Sequence, residues 1–265
     1  MDLHQLYRVV SSSYYRRRSD RIARLLQAKW TYARHRAATP AQWLEHSGIH
    51  CASALRDFER WRSVLQGVIA QVAAAPGQQG GCSLEDGIIL YSLARAISPD
   101  HVIETGIAAG VSTSFLAAAL IDNAHGELYS IELPPTQVEN VPQTDGVCFD
   151  WPAKGVGWAV PESIREAISA RHTMILQDVR TALPALLDRL PHVDLFFHDD
   201  LHTPEHMLWE YRLVWPKVRA GGVLVSDDVN EGWIQFCREA GQPETGLYNI
   251  QRLAALRKIP SSLVP

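Results

Sequence analysis

Two runs hold most of the side chains that could do chemistry. The first is Val193-Asp194-Leu195-Phe196-Phe197-His198-Asp199-Asp200-Leu201-His202-Thr203-Pro204-Glu205-His206, an apolar stretch that ends in carboxylates and histidines. The second is Gly221-Gly222-Val223-Leu224-Val225-Ser226-Asp227-Asp228, another apolar stretch ending in paired carboxylates. If both stretches are neighbouring parallel strands, Asp199, Asp227 and Asp228 crowd together at one rim of a sheet. Crowded carboxylates repel, and at least one stays protonated unless a cation lies between them. Oxygen-rich sets of this kind favour hard divalent cations. His202 follows Asp199 by three residues, and an ordinary imidazole pKa of about 6.5 suits a general base near neutral pH. A zinc reading competes, because His198, His202 and His206 recur every four positions. Pro204 and the strand-end position of His198 argue against one continuous helix carrying all three. With Thr203 as N-cap only His206 is helical, and it reads as a surface or lid residue.

A third run, His101-Val102-Ile103-Glu104-Thr105-Gly106-Ile107-Ala108-Ala109-Gly110-Val111-Ser112-Thr113, turns through small residues between a strand and a helix. Gly106, Ala108 and Gly110 let backbone approach a ligand closely. Amides at the start of the following helix can hold an anionic group, and open α/β sheets bind ligands at such turns. The next strand-like run, Glu127–Glu132, ends in an acid 28 residues after Glu104. Glu132 can accept two hydrogen bonds from ribose hydroxyls. Asp178, after the run His172–Leu176, can accept from an adenine amino group. Each of these acids reads equally well as a solvated strand end. The dinucleotide fingerprint GxGxxG is not met, which disfavours a nicotinamide oxidoreductase.

These tips need a scaffold, and the pattern after residue 81 supplies one. Strand-like runs at 101–104, 127–132, 172–176, 193–198 and 222–226 alternate with helical stretches at 84–97, 112–121, 161–170, 180–190 and 204–218. That alternation predicts an α/β fold, a mostly parallel sheet with helices on both faces. Residues 134–161, rich in Pro, Gly and Trp, are too long for a plain connection and read as a lid. Trp151 and Trp158 there would stack on an acceptor or anchor the loop. Residues 1–75 read as an N-terminal helical extension, with a helix starting at Thr39-Pro40 and another over 52–74 that buries Leu55, Phe58, Trp61, Leu65 and Ile69. The glycine-rich stretch 75–81 is the boundary to a second unit over 82–265.

Composition narrows the class. The 265 residues are 46% hydrophobic and 20% charged, which excludes intrinsic disorder. No uncharged apolar run is long enough for a membrane span, and the start carries no secretory pattern. Cys51, Cys82, Cys148 and Cys237 stand far apart, so a zinc knuckle or disulfide framework is not expected and a cytoplasmic setting fits. The net charge of −4 divides into +7 over residues 1–75 and −11 over the rest. The basic segment reads as a cap on an acidic body or as a contact in a homo-oligomer. Tyr14, Tyr15 and Arg16–Arg18 would gate the pocket or form a solvated face. An acidic body disfavours a nucleic-acid partner, since phosphate contacts dominate such binding.

The spacing E-x-G-x-A-x-G from Glu104 to Gly110 resembles motif I of the class I S-adenosylmethionine-dependent methyltransferases. The 28-residue step from Asp199 to Asp227 resembles the cation-dependent O-methyltransferases of the catechol and caffeoyl-coenzyme A type, in which His202 would stand where catechol enzymes use Lys. The longer string HDDLHTPEH followed by GGVLVSDDV is similar to the macrocin-type and cephalosporin-biosynthetic O-methyltransferases. The likeness runs over about 84–230. It implies a Rossmann-like fold and methyl transfer from S-adenosylmethionine to a hydroxyl of a small molecule, a natural product or sugar. It assigns Glu104, Thr105, Gly106, Ala108, Gly110 and Ser112 to the methionine moiety, Glu132 to the ribose and Asp178 to the adenine edge. Asp199 serves both cofactor and metal, Asp199, Asp227 and Asp228 hold Mg²⁺, and His202 with Asp199 is catalytic. Ala108, His198, Asp200 and Leu201 depart from the family pattern. Some relatives keep the acids without a cation, so a metal-independent N- or C-methyltransferase stays open.

Overall fold

The computed structural model describes residues 39–46, 48–75, 81–136, 154–241 and 253–259. The expectations for Tyr14, Tyr15, Arg16–Arg18, Cys148, Trp151 and most of the lid fall outside these residues.

The first described elements are three helices, α1 (Pro40–His46), α2 (Ala52–Asp57) and α3 (Glu59–Ala73). Thr39 starts α1 as its pattern predicts, its Oγ1 accepting from the Gln42 N–H at 3.2 Å. The single helix expected over 52–74 is interrupted at Phe58, where a three-residue bond from Trp61 N–H to the Phe58 carbonyl tightens the turn. Phe58 is thereby buried, stacked on Phe115 at 5.9 Å and edge-on to Tyr91 at 5.3 Å. Leu65, Val68 and Val72 complete the buried stripe, while Trp61 stays at its rim and donates to Asp122.

From residue 84 the elements alternate: α4 (Leu84–Ile97), β1 (His101–Thr105), α5 (Val111–Asn123), β2 (Glu127–Glu132), α6 (Glu162–Ile168), β3 (His172–Leu176), α7 (Val179–Arg189), β4 (Val193–His198), α8 (Pro204–Val214), β5 (Val218–Ser226), α9 (Glu231–Glu239) and β6 (Ala254–Arg257). They form one six-stranded sheet in the order β3-β2-β1-β4-β5-β6. The first five strands are parallel and β6 is antiparallel to β5. This is the Rossmann-like arrangement, with the chain reversing direction across the sheet between β1 and β4.

Alternation along each strand splits the core into two layers. Val102, Leu195, Phe197, Val223 and Val225 face α1–α6, whereas Ile103, Phe196 and Leu224 face α7–α9. The N-terminal helices share the first layer with α4 and α5: Trp43 and Leu65 pack in the same cluster as Ile89 and Phe115. At the far end of the sheet Asp194 is buried but satisfied by the Asp100 and His101 N–H groups and by Arg219. Among the described residues no helix is long and apolar enough to cross a membrane.

Candidate active site

The C-terminal tips of five strands are tied to one another by backbone hydrogen bonds. Gln177 N–H donates to the Glu132 carbonyl, Gly106 N–H to Ile131, Asp199 N–H to Thr105 and Asp227 N–H to His198, all between 2.8 and 3.0 Å. In-register pairing of Glu132 with Leu176, Thr105 with Ile131 and His198, and His198 with Ser226 places these tips along one edge. Glu132 and Asp199 therefore stand on the same rim.

The turn after β1 is built for close approach. Gly106 has φ +85°, and a Cβ there would lie 2.0 Å from the Asp199 carbonyl oxygen. Ala108 holds φ +46° although it carries a side chain. Glu132 supports it: its Oε2 accepts from the Ile107 and Ala108 N–H groups, and its Oε1 from Leu133 N–H, each at 2.8 Å. Burial raises the Glu132 pKa above the usual carboxylate value, against the effect of those three donors. The backbone at 157–159 hangs on the same turn, with Gly157 N–H donating to the Ala108 carbonyl and Ala159 N–H to Ala109. Trp158 is half-buried, packs against the first core layer and carries Lys154 Nζ 4.1 Å above its ring.

Glu104, Thr105 and Ser112 face inward. The Glu104 carboxylate accepts from Ser112 Oγ at 2.5 Å and from Thr113 Oγ1 and Ser130 Oγ at 2.8 Å. Thr105 Oγ1 donates to Glu210 Oε2 at 2.9 Å. Burial lifts the Glu104 pKa to about 7 even though three hydroxyls favour its charged form. The folded protein then keeps a proton that the unfolded chain, with a pKa of 4.5, releases. Wild-type stability should fall as pH rises through that window, by about 3 kcal/mol in all. Glu104→Gln should flatten this limb, as urea unfolding at about pH 5 and about pH 8 would reveal. Parallel pH dependence in the two proteins would mean that Glu104 is already ionised at the lower pH.

The second half of the rim holds the acids. Asp199, His202 and Asp227 each offer a ligand atom within 4.8 Å of the other two. His202 Nε2 lies 3.6 Å from Asp199 Oδ1, and its Nδ1 lies 4.0 Å from Asp228 Oδ2. Asp228, in a left-handed conformation at φ +46°, stands outside the compact trio, and its side chain is 40% exposed against 18% for Asp199. Burial and then the Asp227 carboxylate push the Asp199 pKa well above its ordinary value, with Glu104, Asp228 and Asp86 adding to the effect. Asp178 is exposed at the start of α7, where its side chain caps Arg180 N–H at 2.7 Å.

Three groups escaped the sequence reading. Asp86 is buried on the first turn of α4, bound by Ser83 Oγ at 2.6 Å; the cap spacing Ser83…Asp86 was its only signal. The Cys82 thiol lies in the same field and is pushed far up by burial and then by Asp86, Asp199, Asp227 and Glu104. Glu210 is fully buried beneath the tips, with nothing in its helical pattern to mark it. One expectation is corrected: His206 is helical as predicted, in the first turn of α8 after the Thr203 cap, but it is buried at 3% exposure and packed on Asp200, because α8 docks that turn against the β4 tip.

Residues 103–229, the span from β1 to just past β5, match the family model described as a methyltransferase domain. Solved structures similar to it include an O-methyltransferase from Bacillus cereus in complex with SAH, 16% identical over 73% of this chain and 88% of that one, TM-score 0.49. Another is the O-methyltransferase TomG from Streptomyces achromogenes in complex with SAM, 19% identical over 86% and 98%, TM-score 0.46. A third is an SAH-bound methyltransferase from Podospora anserina, 13% identical over 88% and 94%, TM-score 0.49. No curated protein sequence matches the chain. Within the matched span the glycine turn and the trio Asp199, His202 and Asp227 lie at adjoining tips, joined by the Asp199–Thr105 backbone bond.

Proposed function

We propose that the protein transfers a methyl group from S-adenosylmethionine to a hydroxyl oxygen of a small-molecule acceptor. The observation that carries this reading is the acidic trio Asp199, His202 and Asp227 set directly beside a turn with room only for backbone at Gly106. The turn Gly106–Gly110 and the first amides of α5 would receive the amino-acid end of the donor. Glu104, Thr105 and Ser112 hold that turn from below. Glu132 would offer the one lone pair left on Oε1 to a ribose hydroxyl, and Asp178, exposed at the β3 tip, would face the adenine edge.

Methyl transfer breaks the sulfonium S–CH₃ bond, returns its electron pair to sulfur and forms an O–CH₃ bond in line. The hydroxyl proton must leave, and the imidazole of His202, its side chain 18% exposed beside Asp199, is the group to take it. Asp199 and Asp228 flank the imidazole and would stabilise its positive form. The donor set also fits a divalent cation, because two carboxylates this close in a half-buried site want a positive charge between them. Asp199 and Asp227, with Asp228, would hold Mg²⁺. When bound, it supplies Lewis acidity that lowers the acceptor hydroxyl pKa. Holding nucleophile and methyl in line accounts for several kcal/mol more.

Titration calorimetry with S-adenosylmethionine and with NAD tests the donor, and only the sulfonium should bind. His202→Ala should keep donor affinity within about threefold but lose about 10²–10⁴ in the rate of S-adenosylhomocysteine release with a hydroxyl acceptor. Loss of donor binding in that variant would make His202 structural. Undiminished turnover in excess chelator would remove the cation and favour metal-free transfer.

A further inference from the structure

Beneath the rim, four ionisable side chains from two elements and a loop converge. His198 closes β4, Asp200 follows it in the tip, and His206 and Glu210 sit one turn apart on α8. The side chains of His198 and Glu210 are fully buried, and that of His206 is 4% exposed. His198 Nδ1 lies 2.7 Å from Glu210 Oε2 and 3.4 Å from Asp200 Oδ1. His206 Nε2 lies 3.1 Å from Asp200 Oδ1 and 3.4 Å from Glu210 Oε1. That last oxygen is buried, points into the group and makes no hydrogen bond. Such an orphan acceptor is costly unless something else occupies the space.

We propose that His198, Asp200, His206 and Glu210 form a second metal site, distinct from the acidic trio, for one divalent transition-metal ion of the zinc type. In a tetrahedral shell with metal–ligand distances of about 2.0–2.1 Å, neighbouring ligand atoms lie about 3.3–3.4 Å apart. His198, Asp200 and Glu210 each offer a ligand atom within 4.8 Å of the other two, and His206 Nε2 reaches Asp200 at 3.1 Å and the second Glu210 oxygen at 3.4 Å, so side-chain rotation would bring the four around one ion. Two imidazoles with two carboxylates suit zinc, iron or nickel rather than Mg²⁺, which takes oxygen ligands. The two carboxylates cancel the ion's charge, so the buried group stays neutral. Thr105 Oγ1, donating to Glu210 Oε2, supplies the outer hydrogen bond that orients a ligand. Asp200, 17% exposed at the rim, gives the ion a way in. Without an ion, protons do the same work. Burial opposes charge on His206, but its hydrogen bond to Asp200 and the nearby Glu210 carboxylate win and carry it to about 10. A bound ion would instead clamp the loop that carries Asp199 and His202 to α8. The proposal is independent of the methyl-transfer reading.

The test uses the full chain, stripped with chelator and titrated with Co²⁺ and Zn²⁺. Asp227→Asn, which breaks only the rim trio, should still take up one Co²⁺ with the intense visible bands of a tetrahedral site. His206→Gln should weaken Zn²⁺ uptake at least about a hundredfold. X-ray absorption of the zinc-loaded wild type needs no variant, and two imidazoles in the shell are expected. If Asp227→Asn abolishes all Co²⁺ and Zn²⁺ binding, or if the shell holds at most one imidazole, the four side chains are a pair of buried ion pairs and the proposal fails.

Discussion

Asp199→Asn is expected to make the protein more stable and to disable its rim. The side chain is nearly isosteric, and the backbone N–H that ties Asp199 to Thr105 is untouched. Burial and the facing Asp227 carboxylate raise the wild-type Asp199 pKa well above its unfolded value. A group raised in this way favours the folded state most below its unfolded pKa of 3.8, and that advantage is lost as pH rises toward the folded value. Asparagine carries no such liability, so near neutral pH the variant should gain about 1–2 kcal/mol. The same change removes a charged ligand from the trio. Mn²⁺ affinity at the rim should drop at least about a hundredfold, and methyl transfer by about 10²–10⁴. Urea unfolding with and without Mn²⁺, beside Mn²⁺ calorimetry, separates the two effects. A variant that is destabilised without the ion would mean that Asp199 is already held by a positive partner and the electrostatic account is wrong.

Gly106→Ala should have the opposite character, a large structural loss from one methyl group. The new Cβ would sit 2.0 Å from the Asp199 carbonyl oxygen, and the backbone at φ +85° already disfavours any side chain. The obstacle is main chain, so no rotamer can relieve it, and β1 must part from β4 at the rim. We expect a loss of at least about 4 kcal/mol, near the top of the range for single substitutions, with donor binding lost alongside. Gly67→Ala is the control. It lies within α3 with nothing near the added methyl, and it should gain about 1 kcal/mol from helix propensity. If the two variants melt at the same temperature, the close approach at Gly106 is not what holds the rim together.

Much of this layout was legible before any coordinates. The strands at 127–132, 172–176 and 193–198 and the helix at 84–97 have the bounds their patterns predict. Each apolar run stops where a polar tip begins, and that boundary is a local property of the chain. The tip acids Glu132, Asp199 and Asp227 were legible for the same reason. β6 was not, because Ala-Ala-Leu-Arg is short, bears no alternation and owes its conformation to pairing with β5. Phe58 interrupts a helix that periodicity alone would run straight through, since the need to bury its ring outweighs the cost of one tightened turn.

The amino-acid order by itself determined that this chain is an alternating α/β protein with acids at its strand ends, because hydrophobic period and turn chemistry act over a few residues. Only the tertiary structure decided which acids meet. Thr105 and Glu210 are 105 positions apart yet share a hydrogen bond, and His206, which reads as a surface residue, is sealed against Asp200. Period reports which face a side chain takes, not what waits on the other side. That is settled by how helices dock on the sheet, through many weak contacts summed over the whole core.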